Sequence, residues 1–122
     1  MILVDTSVWI DHLRAGDAKL AELLNGSQVL MHPFVVGELA CGNLHNRTEL
    51  LALLNDLPRS ALATDVEVLF FIERYALMGR GIGYVDAHLL AAVTLGGATK
   101  IWTRDKRLQT VAEALALAYE ND

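Results

Sequence analysis

The chain begins MILVDTSVWI (residues 1–10), and this stretch decides the fold that we expect. Ile2-Leu3-Val4 is a short apolar run, typical of a buried strand, and it ends at an acid, Asp5. Apolar residues at helical spacing follow immediately, beginning with Val8 and Trp9. A strand that leads directly into a helix is typical of α/β proteins.

The same alternation of short apolar runs and helical patterns continues along the chain. Strands are predicted at 2–4, 28–31 and 100–103, with a weak strand at 61–63 and a last short strand after the final helix. Helices are predicted over 8–24, 33–41, 50–57, 66–78, 84–95 and 108–117. Short apolar strands separated by helices predict an α/β fold with a central parallel sheet covered on both faces, a three-layer α/β/α sandwich.

Length, composition and charge exclude several classes of protein. The 122 residues suffice for one core and 53% of them are apolar, so we expect a single domain over residues 1–122. One cysteine excludes an intrachain disulfide framework, and neither an export signal nor an apolar run of membrane length is visible, which predicts a cytoplasmic protein. The net charge of −5 is unusual for a nucleic-acid-binding protein, although four of the ten basic residues fall within 100–107.

Four acids occupy positions where acids are uncommon. Asp5 and Asp105 directly follow predicted strands, and the carboxyl ends of parallel strands share one edge of a sheet. Glu38 and Asp86 each share a helix face with apolar residues, so we expect both to point inward. Buried carboxylates need a partner, and most basic residues are distant in sequence, which makes a divalent cation the expected partner. Ligands that are all oxygen atoms favour Mg²⁺ or Mn²⁺.

Each acid also has a purely structural interpretation. Asp5, Asp86 and Asp105 are all placed where a carboxylate caps a helix, and Glu38 is a surface residue if the phase of its helix is shifted. Asp11 is expected on the exposed side of the first helix, without a functional role. Four acids in such positions nevertheless point to a metal site more strongly than any one of them does.

Four segments of the chain resemble the PIN-domain nucleases and, among them, the VapC-type toxins of bacterial type II toxin–antitoxin pairs. The segments are MILVDTSVWI (1–10), VGELA (36–40), GYVDAHLLA (83–91) and WTRDKRL (102–108). They occur in the family's order and extend over nearly the whole chain. The resemblance implies a PIN-like fold in which the catalytic, metal-binding acids are Asp5, Glu38, Asp86 and Asp105.

The resemblance also implies an activity. A metal-dependent endoribonuclease would hydrolyse phosphodiester bonds of a structured RNA such as tRNA or rRNA, using Mg²⁺ or Mn²⁺. The family further implies a homodimer and a cognate VapB-type antitoxin that covers the active site. Nearby hydroxyls are candidates to orient a ligating acid or a water molecule: Thr6, Ser7 and Thr103. Basic residues beside Asp105 are candidate RNA-phosphate contacts, and a solvated helix turn explains them equally well: Arg104, Lys106 and Arg107.

Three other functions fit parts of the pattern. A phosphatase of the haloacid-dehalogenase type also places an Asp after its first strand, but it needs a second Asp at the position that Ser7 occupies. A phosphoacceptor receiver domain needs an Asp after a middle strand, where the weak strand at 61–63 offers only Asp65. A PIN-like fold that has lost turnover and serves as a metal- or partner-binding module is the third alternative.

Overall fold

The structure, a computed structural model, describes residues 1–120, so the last two residues of the predicted 1–122 domain lie outside the described residues. Residues 1–120 form three strands, β1 (Ile2–Val4), β2 (Val29–Leu30) and β3 (Lys100–Trp102). Seven helices connect and follow them: α1 (Thr6–Ala15), α2 (Ala18–Asn25), α3 (Pro33–Ala40), α4 (Arg47–Asp56), α5 (Asp65–Arg74), α6 (Tyr84–Leu95) and α7 (Lys106–Ala114). The alternation confirms the predicted α/β class.

The sheet is parallel, with β1 in the middle and the strand order β2-β1-β3. Leu3 of β1 is paired with Leu30 on one side and with Ile101 on the other. Isolated parallel bridges, Met31–Arg59 and Ile101–Ala118, extend the pairing outward on both sides. Because all three strands run the same way, the residues that follow them come together at one edge.

Helices cover the sheet on both faces, in the three-layer arrangement that the sequence predicts. On one side α1 packs against α3, which packs against α4; elsewhere α6 lies against β3 and α5. All residues from Ala87 to Val93 are buried, which confirms that α6 is a core helix. None of the helices in residues 1–120 reaches the length and apolarity that a membrane span requires.

Two sequence predictions about the elements were wrong. The helix expected over 8–24 is two helices, because Gly16 adopts a φ of 78° after α1 and Asp17 caps a new helix by accepting the Leu20 N–H at 2.9 Å. The weak strand expected at 61–63 is absent from the described structure. Backbone pairing occurs instead at residues 58–60, before the predicted strand. There the Met31 N–H donates to the Pro58 carbonyl at 2.8 Å, and the Met31 carbonyl accepts from the Ser60 N–H at 3.1 Å.

Candidate active site

Asp5 lies at the carboxyl edge of the sheet, where its N–H donates to the Trp102 carbonyl at 2.9 Å. The residue is only 6% exposed. Although Asp5 occupies the N-cap position of α1, its carboxylate makes no capping hydrogen bond to the helix backbone. Its Oδ2 instead accepts hydrogen bonds from the hydroxyls of Ser7 and Thr103, both at 2.8 Å. The capping interpretation is therefore wrong for Asp5.

Asp105 follows β3 at the same edge, and for this acid the capping interpretation is correct. Its Oδ1 accepts the backbone N–H groups of Arg107 and Leu108, both at 3.0 Å, at the start of α7. The Asp105 N–H donates to Thr103 Oγ1 at 3.0 Å, and the same Thr103 hydroxyl donates to Asp5. Thr103 thus connects the two acids, although Asp105 itself is exposed.

Asp86 lies in the first turn of α6 and is half-buried. Its Oδ2 accepts the Gly83 N–H at 3.3 Å, so this acid also caps its helix. Burial raises the pKa of Asp86, the Gly83 hydrogen bond opposes that rise, and the negative charges of Asp5, Asp105 and Glu38 add to it. The four carboxylates are therefore near enough to one another to interact.

Glu38 is exposed, so the prediction that it points into the apolar core was wrong. The buried face of α3 runs through Val35 and Leu39, and Glu38 stands beside that face. Its Oε1 accepts a hydrogen bond from the Thr6 hydroxyl at 2.6 Å. All three hydroxyls singled out in the sequence, those of Thr6, Ser7 and Thr103, thus bind a candidate carboxylate.

We refer to Asp5, Glu38, Asp86 and Asp105 as the edge acids. In each of them the described protein donates to one carboxylate oxygen and leaves the other oxygen without a donor. No edge acid forms an ion pair within residues 1–120.

The free oxygens are ligands of the kind that Mg²⁺ and Mn²⁺ prefer, so the donor chemistry fits such an ion. Within the described residues, however, no three His, Cys, Asp or Glu side chains are already arranged to hold a metal. Like charges repel, so a closer arrangement of the edge acids costs energy unless a cation is bound.

Comparison with known proteins agrees with this geometry. Residues 2–114 match the PIN domain. The chain belongs to the PIN-domain family. It is also 50% identical over 122 residues to Ribonuclease VapC32 of Mycobacterium tuberculosis, in strains CDC 1551 / Oshkosh and ATCC 25618 / H37Rv, with 98% of each chain covered. Within the family, this PIN domain is therefore of the VapC type.

The side chain of Arg104, a candidate RNA-phosphate contact, is engaged in ion pairs. Its guanidinium nitrogens donate to Asp11 on α1 and to Asp17 at the start of α2, and its charged group lies 5.8 Å from the Trp102 ring centre. The Leu20 N–H and Arg104 together lower the pKa of Asp17. A guanidinium held by two carboxylates is less available to a phosphate, so the ion pairs favour Lys106 and Arg107 as phosphate contacts, and the Arg104 contact stays a prediction. Asp11, expected on the exposed side of the first helix without a functional role, belongs to this ion-pair network.

Lys106 and Arg107 differ from Arg104, because neither forms an ion pair within the described part of this PIN domain. Both are exposed in the first turn of α7. The Arg107 side chain lies against Gly81, where an added Cβ would come within 2.7 Å of Arg107 Cδ. Gly81 also has a φ of +81°, so two independent constraints favour glycine there. Arg107 is thus held next to the loop that leads into α6 and Asp86.

Sequence reasoning also missed a contact made by His88, two residues after Asp86 in α6. His88 is buried in α6, and its Nε2 is 3.1 Å from Asp65 Oδ1, which also accepts from the Tyr84 hydroxyl at 2.9 Å. The contact ties the start of α6 to the start of α5. No sequence signal pairs His88 with a residue 23 positions away.

Proposed function

We propose that this PIN-domain protein is a metal-dependent endoribonuclease that acts as the toxin of a toxin–antitoxin pair. One observation carries the proposal: the edge acids converge at the end of the sheet and have no cationic partner among residues 1–120. A relative that is 50% identical over almost the whole chain and named a ribonuclease supports the choice of RNA as the substrate. Such an enzyme would act in the cytoplasm.

The edge acids are the residues that would hold Mg²⁺ or Mn²⁺. Bound there, the ion would neutralise negative charge on the phosphodiester and make water a stronger nucleophile at neutral pH. The protein's own contribution is orientation. Ser7 and Thr103 fix one oxygen of Asp5, and Thr6 fixes one oxygen of Glu38, so that the second oxygen of each acid points away from its donor.

RNA would approach along the exposed start of α7. Lys106 and Arg107 lie beside Asp105 and form no ion pair within residues 1–120, so they are the favoured candidate phosphate contacts. Their positive charge offsets part of the net charge of −5 where the substrate must bind. Structured RNAs such as tRNA or rRNA are the proposed substrates, by the resemblance to VapC-type toxins.

A VapB-type antitoxin is the proposed inhibitory partner. A groove of about 480 Å³ includes one edge acid, Glu38, in its wall. The other side chains that face it are mostly apolar and include Ile10, Leu13, Leu39, Leu44 and Leu50. An amphipathic antitoxin segment that laid its apolar side in this groove would pass directly over Glu38.

A second copy of the chain is the other proposed partner, since the family resemblance implies a homodimer. The apolar side chains of α5 that remain most exposed support this choice: Val66 is 77% exposed, Phe70 70% and Leu69 58%. Apolar residues clustered on one helix face commonly mark a protein–protein interface. Light scattering of the wild type and of Phe70→Glu measures the mass directly, and a wild type that is monomeric at high concentration contradicts the dimer.

The decisive experiment is cleavage of total cellular RNA by the purified protein, followed by mapping of the new 5′ ends. We expect cleavage with Mg²⁺ or Mn²⁺, loss of cleavage in EDTA and recovery when the metal is restored. Parallel incubations with a phosphomonoester and with acetyl phosphate test the phosphatase and receiver alternatives. Full cleavage in EDTA would contradict the metal mechanism, whereas no cleavage of any RNA with metal would contradict the nuclease.

A cellular experiment tests the toxin role separately. Expression of this chain alone should arrest growth, and co-expression of a small protein encoded beside it should restore growth. An antitoxin Arg inserted among the edge acids would offset their charge much as a cation does. Harmless expression in the native host, in the absence of the partner, would contradict the toxin role.

A further inference from the structure

Arg104 stands between two residues of the candidate active site, Thr103 and Asp105, but its side chain points elsewhere. Its guanidinium nitrogens donate to Asp11 and Asp17, which lie on or beside the first two helices. We refer to Asp11, Arg104 and Asp17 as the Arg104 clamp. The clamp joins the segment after β3 to α1 and to the N-cap of α2.

The backbone of the same residue belongs to the hydrogen-bond network of the site. The Arg104 N–H donates to Ser7 Oγ at 3.0 Å, and Ser7 in turn donates to Asp5 at 2.8 Å. On either side of Arg104, Thr103 donates to Asp5 and the Asp105 N–H donates to Thr103. A displacement of residue 104 would therefore disturb the donors that orient Asp5, Ser7 and Thr103, and the hydrogen bond from the Asp105 N–H to Thr103.

The charges of the clamp speak against phosphate binding by Arg104. Asp11 also pairs with Arg14 at 2.9 Å, so two guanidiniums balance the two carboxylates and the group has no net positive charge at neutral pH. A group without net positive charge does not attract a phosphodiester, whereas Lys106 and Arg107, which form no ion pair within residues 1–120, attract one.

We propose that Arg104 is a positioning residue, whose clamp holds segment 102–105 so that Thr103 and Asp105 meet Asp5 in the geometry that cleavage requires. The inference rests on the proposed ribonuclease function. It assigns the clamp to alignment of the edge acids and assigns RNA-phosphate binding to neighbouring residues.

The first test compares Arg104→Gln with the wild type in steady-state RNA cleavage with Mg²⁺. We expect kcat to fall about tenfold or more, KM to change less than twofold, and the salt dependence of RNA binding to stay the same. Arg104→Lys, which retains the charge but not the two-pronged geometry, should recover part of kcat. A phosphate contact predicts the opposite result, a raised KM and a salt slope that is smaller by about one; that result overturns the proposal.

Arg14→Gln is the matched control, because Arg14 also pairs with Asp11, at 2.9 Å, but is not among the partners of segment 102–105. It should leave kcat unchanged. Asp11→Asn combined with Asp17→Asn should lower kcat as Arg104→Gln does, and adding Arg104→Gln to that pair should cost little more. Full additivity of the three changes overturns the clamp.

A readout independent of activity separates failure of this inference from failure of the proposed function. Amide hydrogen exchange at Asp105 should be several-fold faster in Arg104→Gln than in the wild type, and unchanged in Arg14→Gln. Unchanged exchange in Arg104→Gln overturns the clamp, whatever the enzyme does. A wild type that cleaves no RNA overturns the function, and the exchange measurement still decides the clamp.

Discussion

Two sets of acids in this PIN domain differ in how their charge is balanced. Asp11 and Asp17 share the guanidinium of Arg104, whereas the edge acids have no cationic partner within residues 1–120. The pKa of Asp17 is lowered, first by the Leu20 N–H and then by Arg104. The pKa of Asp86 is raised, first by burial and then by the other edge acids.

The acids of the candidate site are marked by convergence without a cationic partner among residues 1–120, and not by burial. Asp5 is buried and Asp86 half-buried, but Glu38 and Asp105 are exposed, so burial does not unite the set. What unites the edge acids is a free oxygen on each and mutual repulsion at Asp86. Asp11 and Asp17, which Arg104 neutralises, connect segments of the fold, whereas the converging edge acids are available to an external cation.

The largest effect that separates the two sets is on catalysis. Asp86→Asn and Asp105→Asn should each lower RNA cleavage by at least about 100-fold, because each removes a charged ligand of the proposed metal. The amide oxygen of Asn keeps the capping hydrogen bonds, so circular dichroism should not change. Asp56→Asn, at the exposed end of α4, is the matched control and should cleave normally. Equal losses in all three variants would remove the distinction.

A second, smaller effect concerns stabilisation by metal. Magnesium at 100 times its Kd should stabilise the wild type by about 2.7 kcal/mol, which raises Tm by several degrees. The shift should persist in Asp11→Asn, whose carboxylate the protein balances internally, and shrink in Asp86→Asn. Thermal shift assays over a magnesium series measure both. A wild-type Tm that does not respond to magnesium or manganese would contradict the unneutralised state of the edge acids.

A third effect is the pH dependence of the metal-free protein. Because the folded pKa of Asp86 is raised, its contribution to stability is fully present below the unfolded value of about 4 and is lost as pH rises through the folded pKa. In EDTA, Asp86→Asn should therefore melt at or above the wild type at neutral pH and show a flatter decline of Tm as the pH increases. If Asp86→Asn melts well below the wild type in EDTA, Asp86 has a structural role instead.

The smallest effect is on the free energy of unfolding when the clamp is broken. Asp11 and Arg104 are 39% and 37% exposed at the side chain, so their ion pair is screened by solvent. Asp11→Asn should lower the free energy of unfolding by roughly 0.2–1 kcal/mol, and the loss should diminish in high salt. Urea denaturation at two salt concentrations measures it. A loss of several kcal/mol would make Asp11 a core structural residue.

Local patterns predicted most of the fold correctly. The apolar run Ile2–Val4 and the apolar helix from Tyr84 to Leu95 are both present and buried, because burial of a continuous apolar segment needs no distant information. The predictions failed where the signal was weak. One Gly between two helical patterns split a predicted helix, and the short run at 61–63 was displaced by pairing at Arg59.

Local sequence patterns were enough to identify which acids follow strands and begin helices, since those positions depend on neighbours a few residues away. They thereby located Asp5, Asp86 and Asp105 at the ends of their elements. Only the tertiary structure decided which charges meet. Arg104 reaches partners 93 and 87 positions away, and Thr103 reaches Asp5 across 98 positions. Contacts at that separation form when the parallel strands bring their ends to one edge, so only the folded chain distinguishes the clamped acids from the edge acids.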